Sequence, residues 1–274
     1  MNNTKKKNPF AFLLPLAISL GLVCQPVPIT GRKQLTLIPS GQINQLAFDQ
    51  YEQMLKQKDV IRGTKQAQMV KRVGQRIKNA VQMYMSEHNM SDQLEGYEWE
   101  FTLFEDSTPN AWAMPGGKVG VHTGILPITQ TEAGLAVVMG HEIAHVIAQH
   151  GNERMSQQLL VQLGGIALSE ALSQKPEATR QIFMAAYGLG SQIGVLLPYS
   201  RMHESEADRL GLIFMAMAGY NPNEAVDFWQ RMQQQAGGKT PPEFLSTHPS
   251  HKGRIDRLQE LIPGAMEYYR ESQG

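Results

Sequence analysis

Apolar residues recur at helical spacing in two long stretches of the N-terminal half of the chain. They return every three or four positions from Ser40 to about Lys58 and from Thr64 to about Met90, with polar residues between them. This spacing predicts two amphipathic helices, each with one buried face. The same reasoning predicts further helices at 131–150, 152–171, 177–196, 202–217, 222–235 and 252–261.

Between these helical stretches the period of the apolar residues shortens to about two. From Tyr97 to Leu103, aromatic and aliphatic residues alternate with glutamate and threonine, which predicts a strand with one buried face. Asn110–Met114 and Lys118–His122 indicate two more strands, joined by a Pro-Gly-Gly turn. We therefore expect an α+β fold that is mostly α, with a small sheet beside helix 131–150.

Composition narrows the class of protein. The 274 residues are 42% hydrophobic and 18% charged, which suits a globular domain with a sizeable core. Lys+Arg and Asp+Glu number 25 each. This balance, together with the lack of a nucleic-acid-binding motif, argues against nucleic acid as a partner.

The N-terminus has the pattern of a targeting segment. Lys5–Lys7 form a positive cluster, and Phe10–Cys24 follow as a nearly continuous apolar run of 15 residues. Because a membrane span needs about 20 residues, we interpret residues 1–24 as an export signal, with an uncleaved anchor helix as the alternative. The protein would then be exported to the bacterial periplasm.

The only cysteine, Cys24, ends this apolar run, where a bacterial lipoprotein signal carries its acylated cysteine. Cys24 is therefore the candidate for lipidation, although Val23 departs from the small residue usual before it. Residues 25–40 are rich in proline and predict an extended strap, and residues 41–274 form the predicted main domain. With no other cysteine, thiolate zinc ligands are excluded from that domain.

Helix 131–150 carries the sequence His141-Glu142-Ile143-Ala144-His145. Thr129 and Glu132 fit a capping box at its start, and Gly151 fits its end. Histidines four residues apart lie on the same face of a helix, where two neutral ring nitrogens can bind one Zn²⁺. Glu142 lies beside that face, where it can take a proton from the attacking water. The alternative is a pair of core histidines that form hydrogen bonds only.

A third ligand must come from another segment. Glu204 and Asp208 are four residues apart, so one could bind the metal while the other accepts a hydrogen bond from a ligand histidine. Chemistry alone does not decide between His203 and Glu204 as the ligand. The candidates are His150, His203, Glu204, Glu206, Asp208, His248 and His251.

Four blocks of the sequence resemble one known family. They are Val27–Leu35, Asn110–Gly117, His141–His145, and Glu204 and Asp208 taken with His248-Pro249 and Arg254. Over about residues 25–262 the chain resembles zinc metallopeptidase family forty-eight. This family includes the CAAX prenyl endopeptidases, the bacterial heat-shock membrane proteases and exported quality-control proteases. The resemblance implies a helical zincin domain of the gluzincin type.

The resemblance also implies roles for individual residues. One Zn²⁺ would be bound by His141, His145 and Glu204, with Glu142 as general base and Asp208 orienting a ligand histidine. Asn110, Ala111, Trp112 and Ala113 would form the sheet edge that pairs with an extended substrate. His248 and Arg254 would stabilise the oxyanion and its surroundings. Alternatively, His248 would cap the zinc in a resting state.

The function that follows is a zinc-dependent metalloendopeptidase that acts on unfolded, extended or misfolded cell-envelope proteins. Two other classes remain: an envelope chaperone or assembly factor with a silent zinc site, and a regulatory zinc module that docks on a membrane partner. His88, His122, His150 and His251 read as structural or solvated residues. Ile182–Leu197 reads as a packed helix rather than a membrane contact or a lid.

Overall fold

The computed structural model describes residues 24–163, Thr179, 200–236, 243–248 and 253–274. Within them the expected fold class is confirmed: the chain is mostly helical with a small mixed sheet. The signal predicted before Cys24, most of the helix predicted at 177–196, and His251 lie outside the described residues. In the part of the chain that is described, no helix is both long enough and apolar enough to cross a membrane.

The segment predicted to be an extended strap contains a short hairpin. Strands β1 (Cys24–Pro26) and β2 (Lys33–Leu35) pair antiparallel. In the connecting turn, Ile29 and Gly31 have positive φ angles of 68° and 65°, a conformation that glycine adopts without strain. The turn carries Thr30 and Arg32, whose side chains bind residues of the helical domain.

Nine α-helices lie within the described ranges. They are α1 (Ser40–Gln57), α2 (Lys65–Glu87), α3 (Leu126–Thr129), α4 (Glu132–Ile147), α5 (His150–Leu163), α6 (Arg201–Met217), α7 (Glu224–Ala236), α8 (Glu243–Thr247) and α9 (Arg254–Glu271). Helix α9 runs ten residues beyond its predicted end at 261. Pro263 weakens the helical signal there, but Ile262 and Ala265 keep the same face buried.

The predicted start of the motif helix at 131 is right to within one residue, but its predicted end at 150 and its predicted cap residues were wrong. The N-cap of α4 is Thr131, whose hydroxyl accepts a hydrogen bond from the Gly134 backbone. The hydroxyl of Thr129 instead donates to the Leu126 carbonyl. The helix ends at Ile147, and Gln149, two residues further on, has a φ of 53°. Gly151, the predicted end, lies inside α5. The sequence patterns for a cap were present, but they lie two or three residues away from the residues that cap the helix.

The sheet has strand order β3-β4-β6-β5, where β3 is Val60–Ile61, β4 Glu100–Phe104, β5 Ala111–Met114 and β6 Lys118–His122. Strands β4 and β6 are parallel, and the other two pairings are antiparallel. Strand β4 begins three residues later than predicted, and the two-residue β3 was not predicted. Strand β5 is an edge: no other described strand pairs with its outer side.

Helix α4 forms the centre of the domain. Every residue from Gly134 to Ile147 is buried, and the helix contacts β5, α2 and α6. It lies so close to α6 that a Cβ atom on Gly211 would be 2.9 Å from the backbone nitrogen of His141. This contact brings the histidines of α4 beside the carboxylates of α6.

Candidate metal centre

Four buried side chains from three segments converge at one point. His141 and His145 come from α4, Glu204 from α6, and His248 from the residue after α8. One ligand atom from each lies within 4.8 Å of the others. The Nε2 atoms of His141 and His145 are 3.2 Å apart, and they lie 3.4 Å and 3.3 Å from the carboxylate oxygens of Glu204.

This donor set fits a zinc ion. Zinc commonly binds imidazole nitrogens and carboxylate oxygens. Three protein ligands leave a fourth position for water or substrate. Burial lowers the pKa of His145 well below its usual value, which favours the neutral form that binds metals. Burial opposes ionisation of Glu204, but His248 and the other histidines hold its pKa well below its usual range.

Asp208 lies four residues beyond Glu204 on the same face of α6, as the sequence predicted. Its Oδ1 is 3.0 Å from His141 Nδ1, so His141 can use Nδ1 to donate to Asp208 and Nε2 to bind the metal. Such a carboxylate contact fixes the tautomer and orientation of a ligand histidine.

Arg254, the first residue of α9, joins the two carboxylates of α6. Its Nη1 donates to Glu204 at 3.0 Å and its Nη2 to Asp208 at 2.6 Å. The guanidinium lies over the ring of Trp229, 3.5 Å from the centroid, and the residue is 1% exposed. A planar cation stacked on an aromatic face can hold both carboxylates in a fixed geometry.

Glu142 is buried beside the donor set. Burial raises the pKa of its carboxyl group above the usual value. Its Oε1 is 3.2 Å from His248 Nε2 but has no hydrogen-bond partner among the described residues. A buried carboxylate oxygen with no such partner next to a metal donor set can accept a proton from a water molecule there.

His248 lies inside the cluster rather than at its margin. Its Nδ1 is 2.9 Å from Glu204 and 3.2 Å from His141 Nε2, and its ring stacks on Phe244 with centroids 4.7 Å apart. In this position the ring offers a fourth donor atom, a nitrogen, which is the arrangement that capping of the zinc requires.

The residues expected to pair with a substrate lie on the edge strand. Asn110 immediately precedes β5, and its carbonyl accepts a hydrogen bond from His122 of β6. Asn110, Ala111, Trp112 and Ala113 are all buried. The ring of Trp112 contacts Tyr51 and Phe104 in a second hydrophobic core, so this side chain has a structural role.

A second buried cluster adjoins the first, and sequence reasoning did not identify it. His150 Nδ1 lies 2.9 Å from His145 Nδ1, and His150 Nε2 lies 3.0 Å from Glu206. His203 Nε2 lies 3.0 Å from Glu153, and the rings of His150 and His203 stack 4.5 Å apart.

Arg32 from the hairpin closes this second cluster. It donates two hydrogen bonds to Glu153, at 2.9 Å and 2.8 Å, and one to Glu206 at 2.9 Å. Thr30 also donates to Glu206. Burial works against ionisation of both glutamates, but their partners lower the pKa of each to about 2.

Some sequence signals for this cluster existed. The sequence patterns offer Glu206 and His203 only as third zinc ligands, and His150 as a third ligand or as a structural or solvated residue. In the structure His150 is completely buried, and burial lowers its pKa to about 4. The block Val27–Leu35 contained Thr30 and Arg32, but sequence cannot tell which distant carboxylates an arginine will meet.

Comparisons with known proteins identify a family that matches most of the chain. The sequence profile of peptidase family M48 matches residues 71–262 of this chain. Mitochondrial metalloendopeptidase OMA1 of Schizosaccharomyces pombe is 41% identical over 170 residues, which cover 61% of this chain and 48% of the relative. OMA1 of Saccharomyces cerevisiae is 36% identical over 186 residues, covering 65% and 51%.

A bacterial relative is also similar. The beta-barrel assembly-enhancing protease of Yersinia pestis is 32% identical over 177 residues, which cover 60% of this chain and 35% of the relative. The chain therefore spans about half or less of the length of these curated relatives.

Proposed function

This chain belongs to peptidase family M48, and we propose that it is a zinc-dependent endopeptidase. One observation carries the proposal: the buried Glu142, whose Oε1 has no hydrogen-bond partner among the described residues, lies 3.2 Å from the ring of His248, which converges with His141, His145 and Glu204. Zinc binding alone would not require a glutamate at this position, whereas hydrolysis requires a base beside the water that attacks the substrate.

In the proposed mechanism, His141, His145 and Glu204 hold one zinc ion. When bound, zinc polarises the substrate carbonyl and lowers the pKa of water towards about 7. Glu142 accepts the proton of the attacking water and returns it to the leaving amine. Burial raises the pKa of its carboxyl group, so it accepts a proton more readily than an exposed glutamate. Arg254 and Asp208 keep the ligands in position.

We propose that the substrates are unfolded or extended segments of cell-envelope proteins. Edge strand β5 offers a row of backbone groups for pairing, because no described strand covers its outer side. Pairing of this kind recognises an extended backbone rather than a particular sequence. It would therefore suit a protease that removes damaged proteins.

We further propose that His248 caps the zinc at rest and moves away when a substrate enters. The distance of 3.2 Å between His248 Nδ1 and His141 Nε2 supports this arrangement. A histidine that only stabilised the oxyanion would leave the fourth ligand position open to water.

For the location, we propose export to the bacterial periplasm, with attachment to the membrane through Cys24 or a retained signal. The proposal rests on the Lys5–Lys7 cluster and the apolar run before Cys24. Mass spectrometry of the mature N-terminus tests it: a diacylated Cys24 supports lipid attachment, and an unmodified N-terminus after cleavage contradicts it.

The experiment for the activity compares the wild type with Glu142→Gln. We expect both proteins to contain one zinc ion, and we expect the variant to cleave unfolded casein about 10²- to 10⁴-fold more slowly, the usual contribution of a general base. A wild type that binds zinc but cleaves neither casein nor other unfolded proteins, even after removal of the His248 ring, would contradict the proposal and favour a chaperone.

A further inference from the structure

The two ligand histidines of α4 use different partners for their second ring nitrogen. His141 Nδ1 lies 3.0 Å from a carboxylate, that of Asp208. His145 Nδ1 instead lies 2.9 Å from another imidazole nitrogen, His150 Nδ1. An imidazole can hold a ligand histidine in one tautomer only if its own tautomer is fixed. Another group must therefore fix the tautomer of His150.

The positions of the protons follow from the metal. His145 binds zinc through the lone pair of Nε2, so its one proton lies on Nδ1, which donates to His150 Nδ1. His150 must then carry its own proton on Nε2. That nitrogen lies 3.0 Å from Glu206 Oε2, and a carboxylate can only accept. The three side chains therefore form a chain with one direction of donation, from His145 to His150 to Glu206.

Glu206 is fixed in turn by the N-terminal hairpin. Arg32 Nε donates to Glu206 Oε2 at 2.9 Å, and Thr30 donates to the other carboxylate oxygen. Glu206 is 6% exposed and His150 is fully buried. Because the turn between β1 and β2 supplies both donors, the orientation of the Glu206 carboxylate depends on the hairpin lying against α5 and α6.

We propose that Arg32, Glu206 and His150 are positioning residues for the zinc ligand His145, so that the hairpin completes the metal site. A plain packing role does not account for the pattern. Buried charged groups contribute little net stability compared with apolar residues of similar volume, yet the buried Glu206, held by Arg32 and Thr30, contacts the histidine that leads to the ligand His145. The inference rests on the zinc-binding part of the proposed function but does not require catalysis.

Glu153 supplies a matched control within the same cluster. Like Glu206, it is buried, binds Arg32, and contacts a histidine. Its histidine is His203, however, and not the His150 that contacts a ligand. Replacing either glutamate by glutamine removes one negative charge from the partners of Arg32, but only Glu206→Gln interrupts the chain that leads to the metal.

The test measures zinc affinity by competition with a chelator, and the visible absorption of the cobalt-substituted protein. We expect Glu206→Gln to weaken zinc binding about 10- to 100-fold, the usual effect of losing a partner of a ligand histidine, and to change the cobalt spectrum. Glu153→Gln should lose comparable thermal stability but keep the wild-type affinity and spectrum. Arg32→Lys should weaken zinc binding by an amount between those of the two glutamine variants. Lysine keeps the positive charge but lacks the parallel N–H donors of the guanidinium group.

The positioning role would be overturned if Glu206→Gln and Glu153→Gln had the same zinc affinity. This holds whether both variants keep the wild-type affinity or both lose it. If Glu206→Gln does not fold, Thr30→Val, which removes one partly buried hydrogen bond, must still weaken zinc binding more than Glu153→Gln does. A wild type that binds no zinc would overturn the proposed function as well, so the two failures are distinguishable.

Discussion

Gly211 lies directly against His141 where α6 crosses α4. A Cβ atom on Gly211 would be 2.9 Å from the His141 nitrogen and 3.0 Å from the Gly140 carbonyl carbon. Both of these neighbours are backbone atoms in the middle of helix α4, so they cannot move aside as a flexible side chain would. The contact therefore sets the distance between the histidines of one helix and the carboxylates of the other.

Gly211→Ala should separate the two helices and damage the metal site. We expect a loss of about 1–3 kcal/mol in the free energy of unfolding, as for other overpacked cores, and weaker zinc binding. Urea unfolding and chelator competition measure the two effects. The control is Gly264→Ala in α9, where no atom lies within 4 Å of the added methyl group. That variant should be as stable as the wild type or slightly more stable. Unchanged zinc affinity in Gly211→Ala would contradict the role given to this contact.

His248→Ala should increase the rate of casein cleavage. The substitution removes a ring nitrogen that lies 3.2 Å from His141 Nε2, while the three other donors stay. If the capped state is the major one, the measured rate rises in proportion to the fraction that becomes competent. Steady-state kinetics and zinc analysis of the same preparations measure this. A fall in kcat with zinc content unchanged would assign His248 to the oxyanion instead.

Arg254→Lys should impair the site although the charge is kept. Lysine cannot reach Glu204 and Asp208 with two parallel donors or stack flat on Trp229 as the guanidinium does. We expect a lower kcat and a loss of about 1–3 kcal/mol in stability, because buried carboxylates are left incompletely paired. Arg257→Lys, on the next turn of α9 and less deeply buried, is the control and should change neither. Wild-type kcat in Arg254→Lys would refute the argument.

The Arg32–Glu153 contact should make the protein sensitive to acid. Glu153 has a pKa of about 2 in the folded chain, compared with about 4.3 when unfolded. Since the folded pKa is lower, the contribution to stability is present above about pH 5 and is lost as the pH falls towards 2. We expect Glu153→Gln to be about 1–3 kcal/mol less stable at pH 7. The difference should shrink between pH 5 and pH 3 in urea unfolding. A difference that stays constant with pH would contradict the assigned pKa.

Much of the fold follows from local patterns. Helical periodicity located α1, α2, α6 and α7 to within a few residues, because each has a continuous buried face. The exceptions have local causes. Strand β3 has two residues, too few for any period, and the break after Ile147 is made by a glutamine with positive φ rather than by glycine.

The residues of the metal cluster could also be predicted from the sequence, but for a different reason. His141 and His145 share a helix turn, as do Glu204 and Asp208, so spacing alone predicts which side chains are neighbours within each pair. That the two pairs face each other depends on Gly140 and Gly211, and that Arg254 and His248 join them depends on how α8 and α9 pack. Such contacts between distant segments leave no local pattern, which is also why Glu153, Glu206 and Arg32 could not be connected.

The order of the donors along the chain also has a consequence for biosynthesis. His141 and His145 are made first, Glu204 about sixty residues later, and Arg254, which holds that glutamate, fifty residues after it. A ribosome-bound chain that already displays the two histidines therefore lacks the carboxylate ligand, and for fifty residues more it lacks the arginine that fixes this ligand. The donor set described here, with the arginine that fixes it, is therefore incomplete until residue 254 has been made.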